Sequence, residues 1–208
     1  MLVGHAAVGF AAKRLAPGVS LGTLQLAAAF PDVLVSPLQI AGIEHVRITP
    51  GITAYIWLDA YDIPISHSLA MDVVWSALLG ALYFLWRRDS RGAWVIVSLV
   101  ISHWVLDFVS HRPEMPIVPG LDWRVGLGLW NSLPATFAVE GGLWLACITV
   151  YLRTTAPKTP LGAYAFWALV SLLTLAWVTT PFRPAPASEA AARIVSVMFT
   201  VLLLAWSY

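Results

Sequence analysis

Long apolar segments separated by short polar ones dominate this chain. A helix needs about 20 apolar residues to cross a bilayer, and five segments are close to that length. Two weaker helices precede them at about 2–15 and 20–42, and we expect the second to kink or break at Pro31-Asp32. We therefore predict an all-α, polytopic integral membrane helical bundle of six to seven helices, forming a single domain over residues 1–208. The five long segments lie at about 67–86, 93–111, 134–152, 161–180 and 190–207.

Composition supports the membrane assignment. Hydrophobic residues make up 59% of the chain and charged residues only 11%, whereas about 25% of the residues of a soluble protein are charged. The net charge of +1 says little about nucleic acid, but the sequence has no basic stripe, and we expect no nucleic-acid partner. Cys147 is the single cysteine, so a disulfide or a thiolate zinc site within one chain is excluded.

The connections between the helices differ in charge at the two ends of the bundle. The basic end holds the connections 13–20, 87–92 and 153–160, which carry Lys and Arg with few acids. The loop end holds the long connections 43–66 and 112–133 and most of the acids. Short basic connections remain in the cytoplasm. We therefore expect a multi-pass protein of the bacterial inner membrane whose loop end is extracytoplasmic.

The segment 102–111 carries the strongest chemical signal. His103, Asp107 and His111 are four residues apart, so on a helix they share one face. Ionisable side chains are costly in hydrocarbon and tend to face a partner, a cavity or an ion. His with Asp at this spacing suits a divalent transition metal, although a buried polar contact between helices would also explain the row.

If successive helices cross the membrane in alternating directions, further residues that can bind a metal come to the loop end. We expect His67 at the start of a helix, with Ser66 as its N-cap, and Asp32 at the break of the second helix. Asp32 could instead be an N-cap, and His5 a polar residue at the membrane interface. We predict one or two divalent metal ions, with zinc favoured, held by His5, Asp32, His67, His103 and Asp107.

Other polar residues near this level could take part in chemistry. Glu140 and His111 are candidates for moving a proton, although either could be a metal ligand and His111 could lie in a loop. Arg112 is the best candidate for gripping phosphate oxygens. The simpler interpretation of Arg47, Arg112 and Arg124 is pairing with Glu44, Glu114 or Asp122. We expect Asp72 to support the ligands indirectly and His45 to be a loop residue.

Several of these motifs resemble known families. His5, Pro31-Asp32, Ser66-His67-Ser68 and His103-x3-Asp107 follow the order seen in the YdjM-like (LexA-regulated) bacterial inner-membrane proteins, described as metal-dependent hydrolases. The segments 61–69, 102–116 and 126–132 resemble a related group of uncharacterised bacterial integral membrane proteins.

The His-x3-Asp element is also similar to the pattern of zinc-dependent phospholipase C and the S1/P1 nucleases, in which His and Asp hold a zinc cluster that cleaves phosphate esters. The resemblance implies a metal-dependent phosphoesterase. Two features depart from these soluble enzymes. Thr136 stands where their later His-x3-Glu element, ending here at Glu140, has its His, and their N-terminal amine ligand has no evident counterpart.

Three functions are compatible with these observations. The leading hypothesis is a membrane-embedded metal-dependent hydrolase that cleaves a lipid-linked phosphate ester at the extracytoplasmic face, with membrane lipids around it. The second is a transporter or an ion- or proton-conducting protein that uses the same His/Asp cluster. The third is a non-catalytic membrane protein with a structural metal, which would have a closed ligand shell.

Overall fold

The computed structural model describes residues 1–207 and is mostly helical. Within that range it has eight α-helices and two antiparallel sheets of two strands each. The helices are α1 (Gly4–Ala11), α2 (Leu21–Ala28), α3 (Phe30–Ile40), α4 (Leu69–Arg87), α5 (Ser90–Ser110), α6 (Leu133–Thr154), α7 (Pro160–Thr179) and α8 (Glu189–Ser207). The strands are β1 (His45–Ile48), β2 (Leu58–Asp62), β3 (Met115–Pro116) and β4 (Arg124–Val125).

Helices α4 to α8 are long and apolar enough to cross a membrane, with mean hydropathies between 1.5 and 1.8. They match the five long segments predicted from the sequence, with ends that agree within three residues. Their outer faces expose large apolar side chains, among them Leu85, Trp94, Leu145 and Leu175. Such surface is unfavourable in water and typical of lipid contact, which indicates a membrane protein.

The first helix is too short to cross a membrane. Helix α1 has 8 residues and is therefore about 12 Å long, well short of a hydrocarbon core of about 30 Å. It packs mainly against α6 and α2. Ala7 and Phe10 are fully buried in these contacts, so α1 lies inside the bundle.

The predicted break in the second helix is confirmed. Helices α2 and α3 meet at Ala29, whose backbone leaves the helical region, and their axes bend by 59°. Pro31 comes two residues later and has no N–H to continue the hydrogen-bond ladder. This break turns the seven predicted helices into eight over residues 1–207. Asp32 lies in the first turn of α3 and Ala29 is its N-cap residue, so the alternative of an Asp32 cap is wrong.

The prediction of an all-α fold is wrong in the two long connections. β1 pairs with β2 within 43–66, and β3 pairs with β4 within 112–133. In β1 the side chains alternate between exposed and half-buried, which is the period of a strand and not of a helix. His45, expected in a loop, is part of this strand and is bonded through Nδ1 to Asp62, at 2.9 Å. Both sheets lie in the long connections assigned to the loop end.

The start of α4 differs from the prediction by two residues. Ser68, and not Ser66, is the N-cap residue, and its hydroxyl accepts a hydrogen bond from the Met71 N–H. His67 therefore lies in the turn before the helix. Ser66 is free for a different contact, described below.

Helices α4 and α5 form a close antiparallel hairpin. Arg88 ends α4 with a positive φ of 54°, and Asp89 caps α5 by accepting a hydrogen bond from the Gly92 N–H. A Cβ atom at Gly80 would lie 2.5 Å from Val97 Cγ2, so glycine permits the close approach of the two helices. Helix α5 also contacts α1, α2 and α3. It is therefore the element around which the other ligand-bearing segments are arranged.

Candidate metal centre

Asp107 is the centre of a buried cluster of imidazole rings. Its side chain is only 4% exposed, and the Nε2 atoms of four of the five histidines lie within 4.0 Å of its carboxylate oxygens. The distances are 3.0 Å for His5, 3.2 Å for His103, 3.9 Å for His67 and 4.0 Å for His111. His103, Asp107 and His111, predicted to share one helix face, therefore do meet at one site. His5 and His67, from distant segments, join them there.

All five residues predicted to hold a metal come together here. The ligand atoms of His5, His103 and Asp107 lie within 4.8 Å of one another, and so do those of Asp32, His67 and His103. They come from α1, from α3, from the turn before α4 and from α5. Neutral imidazole and carboxylate groups at this spacing could hold a divalent transition metal ion.

The hydrogen bonds of His103 fit a metal ligand. Its Nδ1 lies 2.8 Å from the carbonyl oxygen of Ala28, and a carbonyl can only accept, so Nδ1 carries the proton. In the neutral ring, Nε2 then has a free lone pair facing the cluster, and this nitrogen is buried without a hydrogen-bond partner. Ligating histidines usually bond through the other ring nitrogen in this way.

His5 stacks on this ring, with centroids 3.7 Å apart and planes 10° from parallel. Burial lowers the pKa of His5 to about 3, and the positive charge of the Met1 amino group acts in the same direction. The ring is therefore neutral at physiological pH, as metal ligation requires. The amino group of Met1 also enters the cluster: it forms an ion pair with Asp107 and donates a hydrogen bond to His5 Nε2 at 2.9 Å. The expectation that an N-terminal amine has no counterpart here is therefore wrong, because the position of the Met1 amino group depends on how α1 packs.

His67 is bonded to a group that sequence reasoning missed. Its Nδ1 lies 2.6 Å from Ser66 Oγ, and the Ser66 hydroxyl donates to Glu44 Oε2 at 2.6 Å. The carboxylate of Glu44 is 1% exposed. Pairing of Glu44 with Arg47 was the sequence expectation, whereas Arg47 binds Asp59 instead, at 3.1 Å.

The ring of His111 is oriented by a neighbouring acid, Glu114. Its Nδ1 lies 2.7 Å from Glu114 Oε1, while Glu114 Oε2 accepts a hydrogen bond from Arg112 at 3.0 Å. Arg112 also donates to Asp59 at 3.4 Å. The expected pairing of Arg112 with Glu114 is thus observed. The ring of His111 also contacts the ring of Trp130, with centroids 4.5 Å apart.

Glu140 is fully buried and lies behind the cluster. Its Oε1 accepts a hydrogen bond from Trp130 Nε1 at 2.8 Å, and its Oε2 accepts one from the Val3 N–H at 3.4 Å. Both oxygens therefore serve to hold α1 and the 129–131 turn together. Asp72 is also fully buried, and neither of its carboxylate oxygens has a hydrogen-bond partner within residues 1–207. It makes no hydrogen bond that would orient His67 or His103.

The cluster is open at one ligand. The side chain of Asp32 is 42% exposed, whereas those of His103, Asp107 and His67 are 0%, 4% and 7% exposed. An ion held here would be enclosed on most sides and reachable beside Asp32.

No family model, no curated protein and no solved structure matches the chain. The fold and the site themselves define the class: a mostly helical protein with five helices suited to a membrane and a buried His/Asp group that could hold a metal ion.

Proposed function

We propose that this protein is a membrane-embedded metal-dependent hydrolase that cleaves a lipid-linked phosphate ester. The observation that carries the proposal is the set of imidazole nitrogens around Asp107, combined with the exposure of Asp32. The metal ligands are His5, Asp32, His67, His103 and Asp107, and one or two zinc ions suit them best.

A bound zinc ion lowers the pKa of a coordinated water and stabilises charge on phosphoryl oxygens. Within this scheme His111 accepts the proton of the attacking water through Nε2, since its Nδ1 is held by Glu114 and the ring faces the cluster. Glu140 was the other candidate for this role. Because both of its oxygens already accept hydrogen bonds, we assign it to holding α1 in place.

Arg112 is the proposed contact for a substrate phosphate. Its Nη2 donates to both Asp59 and Glu114. Its buried Nε has no hydrogen-bond partner within residues 1–207, so the guanidinium keeps an N–H group that could bind a phosphate oxygen. The pairing with Glu114 also lets Arg112 fix the carboxylate that orients His111. Both roles place it beside the proton acceptor.

A lipid-linked substrate is argued from location. The helices beside the cluster expose apolar surface of the kind that lipid covers, and a site at the edge of a bilayer is reached most easily by a molecule already in the bilayer.

Metal-loaded protein in detergent should hydrolyse lipid phosphoesters faster than water-soluble ones of the same head group. His111→Asn should lower turnover by about 100-fold or more, while His45→Asn, on the exposed strand β1, should not. Equal rates in both variants would remove His111 from the reaction.

The proposed orientation places the loop end outside the cytoplasm of a bacterium, because Lys and Arg concentrate in the short connections. Cysteines at Ser90 and Leu121, in a Cys147→Ala background, test this with an impermeant thiol reagent on intact cells. Leu121 is 59% exposed, and it avoids Gly120, whose φ of 80° disfavours a side chain. Labelling at position 121 alone is expected; labelling at position 90 alone would reverse the orientation.

The bend between α2 and α3 favours a second candidate, a transporter or ion-conducting protein. Discontinuous helices beside an ionisable residue are common at ion sites in transporters, and Asp32 follows the 59° bend. Ion flux in proteoliposomes without hydrolysis of any lipid phosphoester would favour this candidate over the enzyme. The exposure of Asp32 argues against the third hypothesis, a structural metal in a closed shell.

A further inference from the structure

The carboxylate of Glu44 uses its two oxygens for different partners. Oε1 accepts hydrogen bonds from the backbone N–H groups of Ile65 and Ser66, both at 2.7 Å. Oε2 accepts from the Ser66 hydroxyl at 2.6 Å. The first oxygen thus anchors the segment that leads into α4, and the second reaches a side chain that contacts His67.

The donor and the acceptor can be assigned for each hydrogen bond that links Glu44, Ser66 and His67. A carboxylate only accepts, so the single hydroxyl proton of Ser66 goes to Glu44. Ser66 Oγ therefore has only lone pairs left for His67 Nδ1, 2.6 Å away, and Nδ1 must carry the imidazole proton. In the neutral ring this leaves a lone pair on Nε2 of His67, which lies 3.6 Å from Asp32 Oδ1 and 3.9 Å from Asp107 Oδ2.

We propose that Glu44 is a positioning residue that sets the tautomer of His67 through Ser66 and so prepares Nε2 as a metal ligand. His67 differs in this respect from His103, whose proton is fixed directly by a backbone carbonyl. The consequence for metal binding rests on the proposed function. The tautomer itself does not.

Glu44→Gln tests the proposal because it separates the two oxygens. The amide oxygen can still accept from the backbone N–H groups of Ile65 and Ser66, so the anchor is kept. The amide nitrogen, in place of Oε2, donates to Ser66 Oγ and turns the hydroxyl toward His67 Nδ1. The proton of His67 then moves to Nε2, where it blocks ligation.

Two further variants complete the design. Ser66→Ala removes the link and leaves the tautomer of His67 unset. Ser68→Ala is the matched control, because Ser68 is also fully buried and two residues away, yet its hydroxyl caps α4 through Met71. The tautomer is read in metal-free protein from histidine ¹⁵N chemical shifts, with His67→Gln to assign the signal. Zinc affinity is measured by competition with a chelator.

We expect a protonated Nδ1 at His67 in the wild type and in Ser68→Ala, and a protonated Nε2 in Glu44→Gln. Zinc affinity should fall about 10- to 100-fold in Glu44→Gln and in Ser66→Ala, and the double variant should bind no more weakly than Ser66→Ala, since the two residues act in one chain.

An unchanged tautomer in both Glu44→Gln and Ser66→Ala would overturn the proposal. So would zinc affinity that falls as far in Ser68→Ala as in Ser66→Ala, since the loss would then be structural. A wild type that binds no zinc would refute the proposed function and the role in metal binding together, whereas a wild type that binds zinc with unaltered variants would refute only the role of Glu44.

Discussion

Helices α5 and α8 have the same mean hydropathy, 1.8, but occupy very different positions. In the most apolar 18-residue stretch of each helix, 50% of the α5 residues are buried inside the protein, whereas only 11% of the α8 residues are. Helix α5 carries His103 and Asp107 among its buried residues, while the buried residues of α8 are Ala192 and Leu203. Hydropathy therefore predicts that a helix can span a membrane, but not where the helix lies in the bundle.

The difference follows from the cost of leaving polar groups in hydrocarbon. Asp107 and His103 need partners, so the face of α5 that carries them must turn inward. Beyond Arg193, α8 has no charged residue and can face lipid without such a cost. The polar positions of an apolar helix are thus the better guide to its neighbours.

The largest expected effect comes from the inward face of α5. Asp107→Asn keeps the shape of the side chain but removes the charge that two imidazole nitrogens approach within 3.2 Å. Zinc affinity should fall by about 100-fold or more, because a carboxylate ligand is lost from the centre of the site. Val105→Ala, on the same helix and 48% exposed, should leave zinc affinity unchanged. Equal affinity in both variants would mean that the inward face has no special role.

A matched pair of leucine substitutions, one on α5 and one on α8, compares how tightly the two helices are packed. Leu99 on α5 is 5% exposed and Leu202 on α8 is 40% exposed. Leu99→Ala should lower the free energy of unfolding by about 2–5 kcal/mol, because it leaves a cavity, and Leu202→Ala by less than about 1 kcal/mol. Chemical denaturation in detergent measures both, and a larger loss at position 202 would contradict the assigned positions.

A smaller and purely functional effect is expected where the 112–133 connection meets the end of α5. A Cβ atom at Gly126 would overlap the carbonyl oxygen of Arg112 and lie 2.6 Å from that of His111, and backbone atoms cannot move aside as a side chain does. Gly126→Ala should displace Arg112 and His111 together and lower turnover by roughly 100-fold while zinc content is kept. Gly18→Ala, where no atom lies within 4 Å, is the control. Full activity of Gly126→Ala would argue against His111 as the proton acceptor.

The sequence predicts the parts of this structure that depend on spacing within one segment. The four-residue interval from His103 to Asp107 sets their shared face on any helix, and Pro31 marks the bend wherever that helix lies. Glu44 could not be predicted in the same way. It stands in a polar connection where an acid is ordinarily solvated, and its contact with Ser66 exists only after two distant segments have packed.

The two small sheets escaped prediction for a related reason. Strands as short as β3, Met115–Pro116, carry almost no periodicity, so pairing with a partner decides their structure. The contact of Glu140 with Val3 likewise depends on where α1 packs. These are tertiary contacts, and the spacing of residues within one segment does not predict them.

Metal analysis of purified protein tests the central claim most directly. Wild type, His103→Ala and His45→Ala are purified from zinc-supplemented cells, and zinc is measured per chain by mass spectrometry. We expect one or two zinc ions in the wild type and in His45→Ala, whose side chain is 49% exposed, and strong depletion in His103→Ala. A metal-free wild type, or equal zinc in all three proteins, would contradict a metal centre at this cluster.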